Sequence, residues 1–455
     1  MPLRGLTINA QGQLLRDGAR FRNIGINWPT AVWDIYGAAL PGQTYYTSSA
    51  DQDQAIATLV SMKCKVVIFS PFPFYPAHWT LAVNNGVSAL SATAADREPY
   101  YQKIDALLDK LAANDIGVIF RMFQRHATIP DLVGQESRAG WLNAGSTRTV
   151  AAAITQEIVT RYLNHSAVYG YQHGTETNHR NDISQTDFAN DIWPAVNASL
   201  GTGAPGSYTA ANSAFFGSEW RQVLEWWYGV IRAIDPNRIV LSGNGPNSYS
   251  QPGGVKGISS PMRAWHLEQV RDNPTNCGQI HWYGNVGYGS NNFRGLNSIL
   301  TGVRHWQRVN GRAFMLGEFG SQPWRTTAIS GDGSAVTFTC AISVPLEPGD
   351  AFLMGGTGSI FDGTYTVDSI NGARDTVTAR SAKTGSWTGS VEGLQFLTGE
   401  RVSRMCDDII NSDTDVACFW KIDTSASSPL LESVDESGNE GLRAAILAAN
   451  TRLGW

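Results

Sequence analysis

Two glutamates in this chain stand where an ionised carboxylate is hard to keep. In Arg312-Ala313-Phe314-Met315-Leu316-Gly317-Glu318-Phe319-Gly320, four apolar residues in a row predict a strand buried on both faces. Glu318 follows, held between glycines that let the backbone turn and other groups come close. Such a carboxylate is destabilising unless something pairs with it or uses it. For one glutamate alone, a structural salt bridge or a helix cap would serve as well as chemistry. But Ala167-Val168-Tyr169-Gly170-Tyr171-Gln172-His173-Gly174-Thr175-Glu176 delivers a second carboxylate at the end of an apolar strand. Two carboxylates at one site are what glycosidic hydrolysis needs: one protonated to release the leaving oxygen, one ionised to attack or to activate water.

Bringing them together requires elements that end on a common face. Strands are predicted near 21–27, 64–70, 116–123, 168–174, 238–243, 278–283, 312–318 and 415–421. Helical patterns alternate with them near 51–62, 98–113, 148–163, 213–233, 261–272, 292–309, 399–411 and 438–451. Asp51 and Asp96 read as caps, and Asp235-Pro236 as the stop before the fifth strand. Residues 3–22 turn twice and read as a small hairpin. Eight strands alternating with eight helices is the count of a (β/α)8 TIM barrel, an α/β fold. The alternative, a doubly wound sheet, lacks a Gly-rich phosphate loop after the first strand.

From Thr326 to Thr398 the helical signal gives way to short β-type runs such as Ala335-Val336-Thr337-Phe338-Thr339 and Asp375-Thr376-Val377-Thr378-Ala379. The expected organisation is therefore a barrel over 1–325 that includes the N-terminal hairpin, a small all-β domain at 326–398 inserted after strand seven, and the rest of the barrel at 399–455. Connections after strands form the working face of such barrels, so the insertion either stands beside the site or ornaments the surface.

In that frame the strand ends gather Trp28 after the first strand, Arg121, Gln124 and His126 after the third, and Glu176 and Asn178 after the fourth. His281 and Tyr283 follow from the sixth, Glu318 from the seventh and Trp420 from the eighth. Strands four and seven are expected to face each other, which can bring two carboxyl groups to the ~5–5.5 Å spacing of a retaining glycosidase.

These stretches resemble the glycoside hydrolases of clan A, most closely the cellulase and mannanase type of family 5. The matching segments are Phe21-Arg22-Asn23-Ile24-Gly25-Ile26-Asn27-Trp28, Gly170 to Asn178, His281-Trp282-Tyr283, Leu316-Gly317-Glu318-Phe319-Gly320 and Phe419-Trp420. They run through the whole barrel in the family's order; the β insertion lies outside the likeness. The resemblance implies Glu176 as general acid/base and Glu318 as nucleophile. It implies Tyr283 as a hydrogen-bond donor to that nucleophile, His281 as a border to the acid/base and the sugar, and Trp420 as the platform under the cleaved sugar. Trp28 and His126 would line the substrate groove.

The chain also departs from the family. Thr175 stands where an asparagine normally precedes the acid/base, and Val66-Val67-Ile68-Phe69-Ser70-Pro71 lacks the arginine usual near the end of strand two. Arg121 could supply that charge from the next position round the barrel; in that case Arg121→Met would cost turnover far more than stability. A second reading is a carbohydrate-binding barrel whose chemistry has been weakened.

Composition agrees with an uncharged, polar, ring-shaped ligand: a net charge of −5 without a basic cluster disfavours nucleic acid, while 15 tryptophans supply faces for sugar CH groups. Cys64, Cys277, Cys340, Cys406 and Cys418 show no CxxC spacing, and their odd number argues against a full disulfide framework. No cofactor is expected and no metal site: a metal-dependent barrel hydrolase would need a His-x-His after the first strand and clustered ligands. No signal peptide or transmembrane run is apparent, so no membrane partner is expected and the compartment stays open. The Gly/Thr/Ser-rich insertion resembles modules of phage tails and virions, which would suit a particle-borne depolymerase or adhesin.

Overall fold

A computed structural model describes residues 5–32, 49–72, 93–124, 126–175, 217–243, 274–283, 292–320, 324–340, 344, 346, 348–354, 357–373, 375–395, 399–422 and 440–455. Eight strands close into a ring in chain order: Asn23–Asn27, Val66–Phe69, Gly117–Phe123, Val168–Gly174, Ile239–Leu241, Cys277–Tyr283, Ala313–Gly320 and Val416–Trp420. Every neighbouring pair is parallel. This is a (β/α)8 TIM barrel, with the helices packed outside it.

Side-chain alternation divides the strands into two cores. One set, including Val66, Ile68, Ile119, Tyr169, Ile239 and Met315, fills the barrel interior. The other set, including Val67, Val118, Phe120, Phe314 and Phe419, packs outward against helices such as Ala94–Ala113 and Ser146–Tyr162. The N-terminal segment is a three-stranded sheet rather than a simple hairpin. It closes the N-terminal end of the ring: Leu6, Leu14 and Phe21 join the inner core, and the Leu6 amide donates to the Tyr169 carbonyl.

Several elements differ locally from expectation. The second helix starts at Ala94 because Thr93 is its cap, and Asp96 is the reciprocal partner three residues on; Asp51 lies inside its helix, in the first turn. Two short helices, Thr128–Leu132 and Ser137–Leu142, follow the third strand, too brief to show a period. The helical pattern near 261–272 lies outside the described residues. Strands four and seven are three places apart round the ring, not opposite; the strand opposite the seventh is the third.

After the seventh barrel strand comes a second, smaller closed barrel of six antiparallel strands, from Trp324–Asp332 to Thr384–Gln395. Its first strand begins two residues before the change in composition at Thr326. Ile329, Phe338, Phe352, Tyr365 and Val377 give it a core of its own. Arg401, in the helix Gly399–Asn411, reaches Asp350 of the smaller barrel at 2.6 Å. All five cysteines are buried and free. Among the described residues, no helix is long and apolar enough to cross a membrane.

Candidate active site

The barrel interior is apolar below and polar toward the C-terminal ends of its strands. Continuing the inward series of strands one, three and six leads to Asn27, Arg121, Gln279 and His281, and Gln172 joins them because the register of strand four skips Tyr169 between Val168 and Gly170. Glu318 should not belong to this set. Ala313 and Met315 point inward, so strict alternation would put Gly317 inside and turn Glu318 toward the helices. A bulge reverses this: the register runs Met315–Gln279 and Leu316–Ile280, then skips Gly317 and pairs Glu318 with His281.

Glu318 is only 3% exposed, and three side chains from three strands or strand ends converge on it. Arg121 Nη2 lies 2.7 Å from Oε1. The Thr175 hydroxyl donates to the same oxygen at 3.3 Å, and His281 Nδ1 lies 3.1 Å from Oε2. The pair with Arg121 compensates a carboxylate charge that burial alone would make strongly unfavourable. Arg121 is itself fixed, by Nη2 donating to Asn27 Oδ1 at 2.9 Å and Nη1 to Gln124 Oε1 at 3.1 Å. Asn27 then holds the bulge, donating from Nδ2 to the Gly317 carbonyl at 2.9 Å.

Arg121 thus reaches the carboxylate from the strand opposite Glu318 across the ring. Thr175 directs its hydroxyl to the glutamate. Trp420 is half-buried at the end of the eighth strand, beside Asn27, and its peptide bond to Lys421 is cis. Trp28 is fully buried in the outer apolar core. His126 is 4% exposed, and its carbonyl accepts the Trp141 indole N–H at 2.5 Å. Tyr283 closes the sixth strand, its backbone paired with Gly320, and its side chain lies outside what the structure describes. Glu176 and Asn178 lie outside the described residues.

Sequence reasoning missed Asn27, Gln172 and Gln279 as parts of this layer. Each is a polar residue at an inward strand position, a signal visible only once the inward series of the strand is known. At the opposite, N-terminal end, Arg20, Arg308 and Asp413 form a separate ionic cluster round Asp415, whose carboxyl burial pushes above the usual range.

No protein-family model matches the sequence, and no curated protein is significantly similar to it. Solved structures similar in fold include an endo-1,4-β-mannanase from Rhizomucor miehei, with a TM-score of 0.60 and 11% identity over 99% of this chain and 100% of that one. An endo-β-1,4-mannanase from Thermotoga petrophila gives 0.55 and 12% over 96% and 78%. A glycoside hydrolase family 5 mannosidase from Rhizomucor miehei, in complex with mannosyl-fructose, gives 0.52 and 10% over the full length of both. At such identities the likeness is one of fold alone: the chain shares the (β/α)8 barrel of these proteins.

Proposed function

We propose that this chain is a retaining glycoside hydrolase acting on β-linked polysaccharide, with Glu318 as nucleophile and Glu176 as general acid/base. The observation that carries the reading is Glu318 itself: a buried carboxylate at the mouth end of the barrel, paired with Arg121, contacted by His281 and Thr175, and turned inward by a bulge. A merely structural ion pair does not need a third and a fourth partner aimed at the same two oxygens. The fold neighbours make β-1,4-mannan the first substrate to try.

In this reading Glu318 attacks the anomeric carbon while Glu176 gives its proton to the departing glycosidic oxygen, leaving a glycosyl ester on Glu318. Water then attacks the same carbon, gives a proton to Glu176 and frees Glu318, so two inversions retain the configuration. Arg121 and His281 hold the carboxylate oxygens in place for the attack. In the same reading Asn178 completes the sugar site together with Tyr283 and Trp420, the last residues of strands six and eight.

The test is azide rescue with an activated β-glycoside. Glu318→Ala and Glu176→Ala should each lose turnover while remaining folded. Azide should give the α-glycosyl azide with the first variant and the β-glycosyl azide with the second, because the first pathway inverts once and the second twice. Failure of rescue in both variants removes the assigned roles.

One observation favours a second reading, a carbohydrate-binding barrel with little chemistry. Thr175 occupies the place of the family's sugar-binding asparagine and spends its hydroxyl on Glu318. Reducing-end release from a panel of mannan, glucan, xylan and bacterial surface glycans separates the two: binding without release supports the second.

A further inference from the structure

Beneath Glu318 runs a chain of amide groups whose polarity is fixed by the backbone at both ends. The Gly243 N–H lies 3.1 Å from one end of the Gln279 amide and can only donate, so that end is Oε1. The Gly174 carbonyl lies 2.6 Å from one end of the Gln172 amide and can only accept, so that end is Nε2. Gln172 therefore turns Oε1 toward Gln279 Nε2, which donates to it at 3.2 Å. The same Gln279 Nε2 lies 3.5 Å from His281 Nε2. An NH2 group has only hydrogens to offer, so the imidazole nitrogen facing it must present a lone pair.

We propose that Gln279 is a positioning residue that sets the tautomer of His281: Nε2 unprotonated, and the proton on Nδ1, where it is donated to Glu318 Oε2 at 3.1 Å. The backbone is built around this amide. A Cβ at Gly317 would lie 1.7 Å from Gln279 Nε2, and one at Gly243 would lie 1.9 Å from the Gly174 carbonyl oxygen. The glycine before Glu318 thus leaves room for Gln279. The chain also ties the end of strand four, through Gln172 and the Gly174 carbonyl, to the orientation of the carboxylate on strand seven.

The kinetic consequence rests on Glu318 being the nucleophile proposed above; the tautomer itself does not. The experiment is therefore read first by nitrogen NMR of the full chain labelled with 15N-histidine. The His281 signals are assigned by their loss in whichever of His281→Gln and His281→Asn folds. Wild type at neutral pH is expected to show Nδ1 protonated and Nε2 bare. In Gln279→Glu a carboxylate faces Nε2 and can only accept, so Nε2 should become protonated. In Gln279→Met the donor is lost and only Glu318 then holds the tautomer, so the Nε2 signal should shift as its lone pair loses the amide hydrogen. With a hydrolysable glycoside, kcat in Gln279→Met should fall about tenfold, with KM little changed, the size of one lost directed hydrogen bond. A wild-type His281 protonated on Nε2, or nitrogen signals unmoved in both Gln279 variants, overturns the proposal. The expected tautomer in a chain that hydrolyses nothing leaves the proposal standing and removes only the assignment as hydrolase.

Discussion

Arg121 and Glu318 meet at 2.7 Å from strands on opposite sides of the ring, with side chains 2% and 3% exposed. Their burial revises what the sequence alone led us to expect of Arg121→Met. Removing one member of so deep a pair leaves an uncompensated charge, which typically costs about 3–5 kcal/mol. Stability should therefore fall along with turnover. The double variant Arg121→Met, Glu318→Met removes both charges and should recover most of that loss while staying inactive. Urea midpoints for the two singles and the double would show it; a double variant no more stable than Arg121→Met means the two charges are not coupled.

Gly317 tests the bulge that turns Glu318 inward. Its missing side chain is occupied space, because a Cβ there would meet Gln279 Nε2 at 1.7 Å. Gly317→Ala must displace that amide or move the strand, an overpacking that costs about 1–3 kcal/mol. Turnover should fall further than stability accounts for, since the displaced group faces His281. A fully active, less stable Gly317→Ala protein would show that the glycine serves the backbone alone.

The last helix is tied to the start of the first strand by the Asn450 side chain. Asn450, fully buried, accepts from the Ile24 amide at 2.8 Å and from Asn23 Nδ2 at 3.1 Å. Its own amide donates to the carbonyls of Ile24 and Met62, both at 3.0 Å. Asn450→Leu keeps the volume but takes this partner from the Ile24 amide and from the Ile24 and Met62 carbonyls, while Asn23 Nδ2 keeps the Lys63 carbonyl; at about 1–3 kcal/mol for each of the three, a total of at least about 3 kcal/mol is expected. The folded fraction should keep its kcat, because the contact lies at the N-terminal end of the strands. Melting and single-substrate kinetics on one preparation check both halves.

The barrel was legible in the sequence because its strands are apolar runs separated by helical patterns, and strand order then follows from chain order. Glu318 stood out because Glu176 repeats its setting, an acid at the end of an apolar strand; either alone could have been a structural ion pair. Its orientation was not legible: plain alternation points it outward, and only the skipped register at Gly317 turns it toward His281. Arg121 could be suspected as the missing cation, yet its reach across the ring depends on barrel closure, which pattern cannot show. Gln172 and Gln279 read as unremarkable polar residues within strands. Their meaning lies in whichever backbone group each amide faces, and that is a property of three dimensions.

His173 offers the sharpest test of the packing on the outer side of strand four. Its ring is fully buried among Phe123, Trp141, Trp220 and Trp227, with centroids 4.9–5.2 Å away. Neither ring nitrogen has a hydrogen-bond partner among the described residues. Burial drives its pKa down to about 3. The unfolded chain takes up this proton near pH ~6.5. As pH falls from there toward 3, the unfolded state binds a proton that the native state refuses, so stability is full above that range and is lost progressively within it. His173→Leu removes the titrating group and an unsatisfied buried ring, so it should be no more than about 1 kcal/mol less stable at pH 7. Between pH 6.5 and 4 it should lose less stability than wild type. Carboxylates held low by arginines, such as Asp235 beside Arg238, lose their stabilisation in both proteins and cancel in the difference. Urea midpoints measured across that range for both proteins decide the matter: parallel curves would mean that His173 is already protonated, or solvated, in the folded chain.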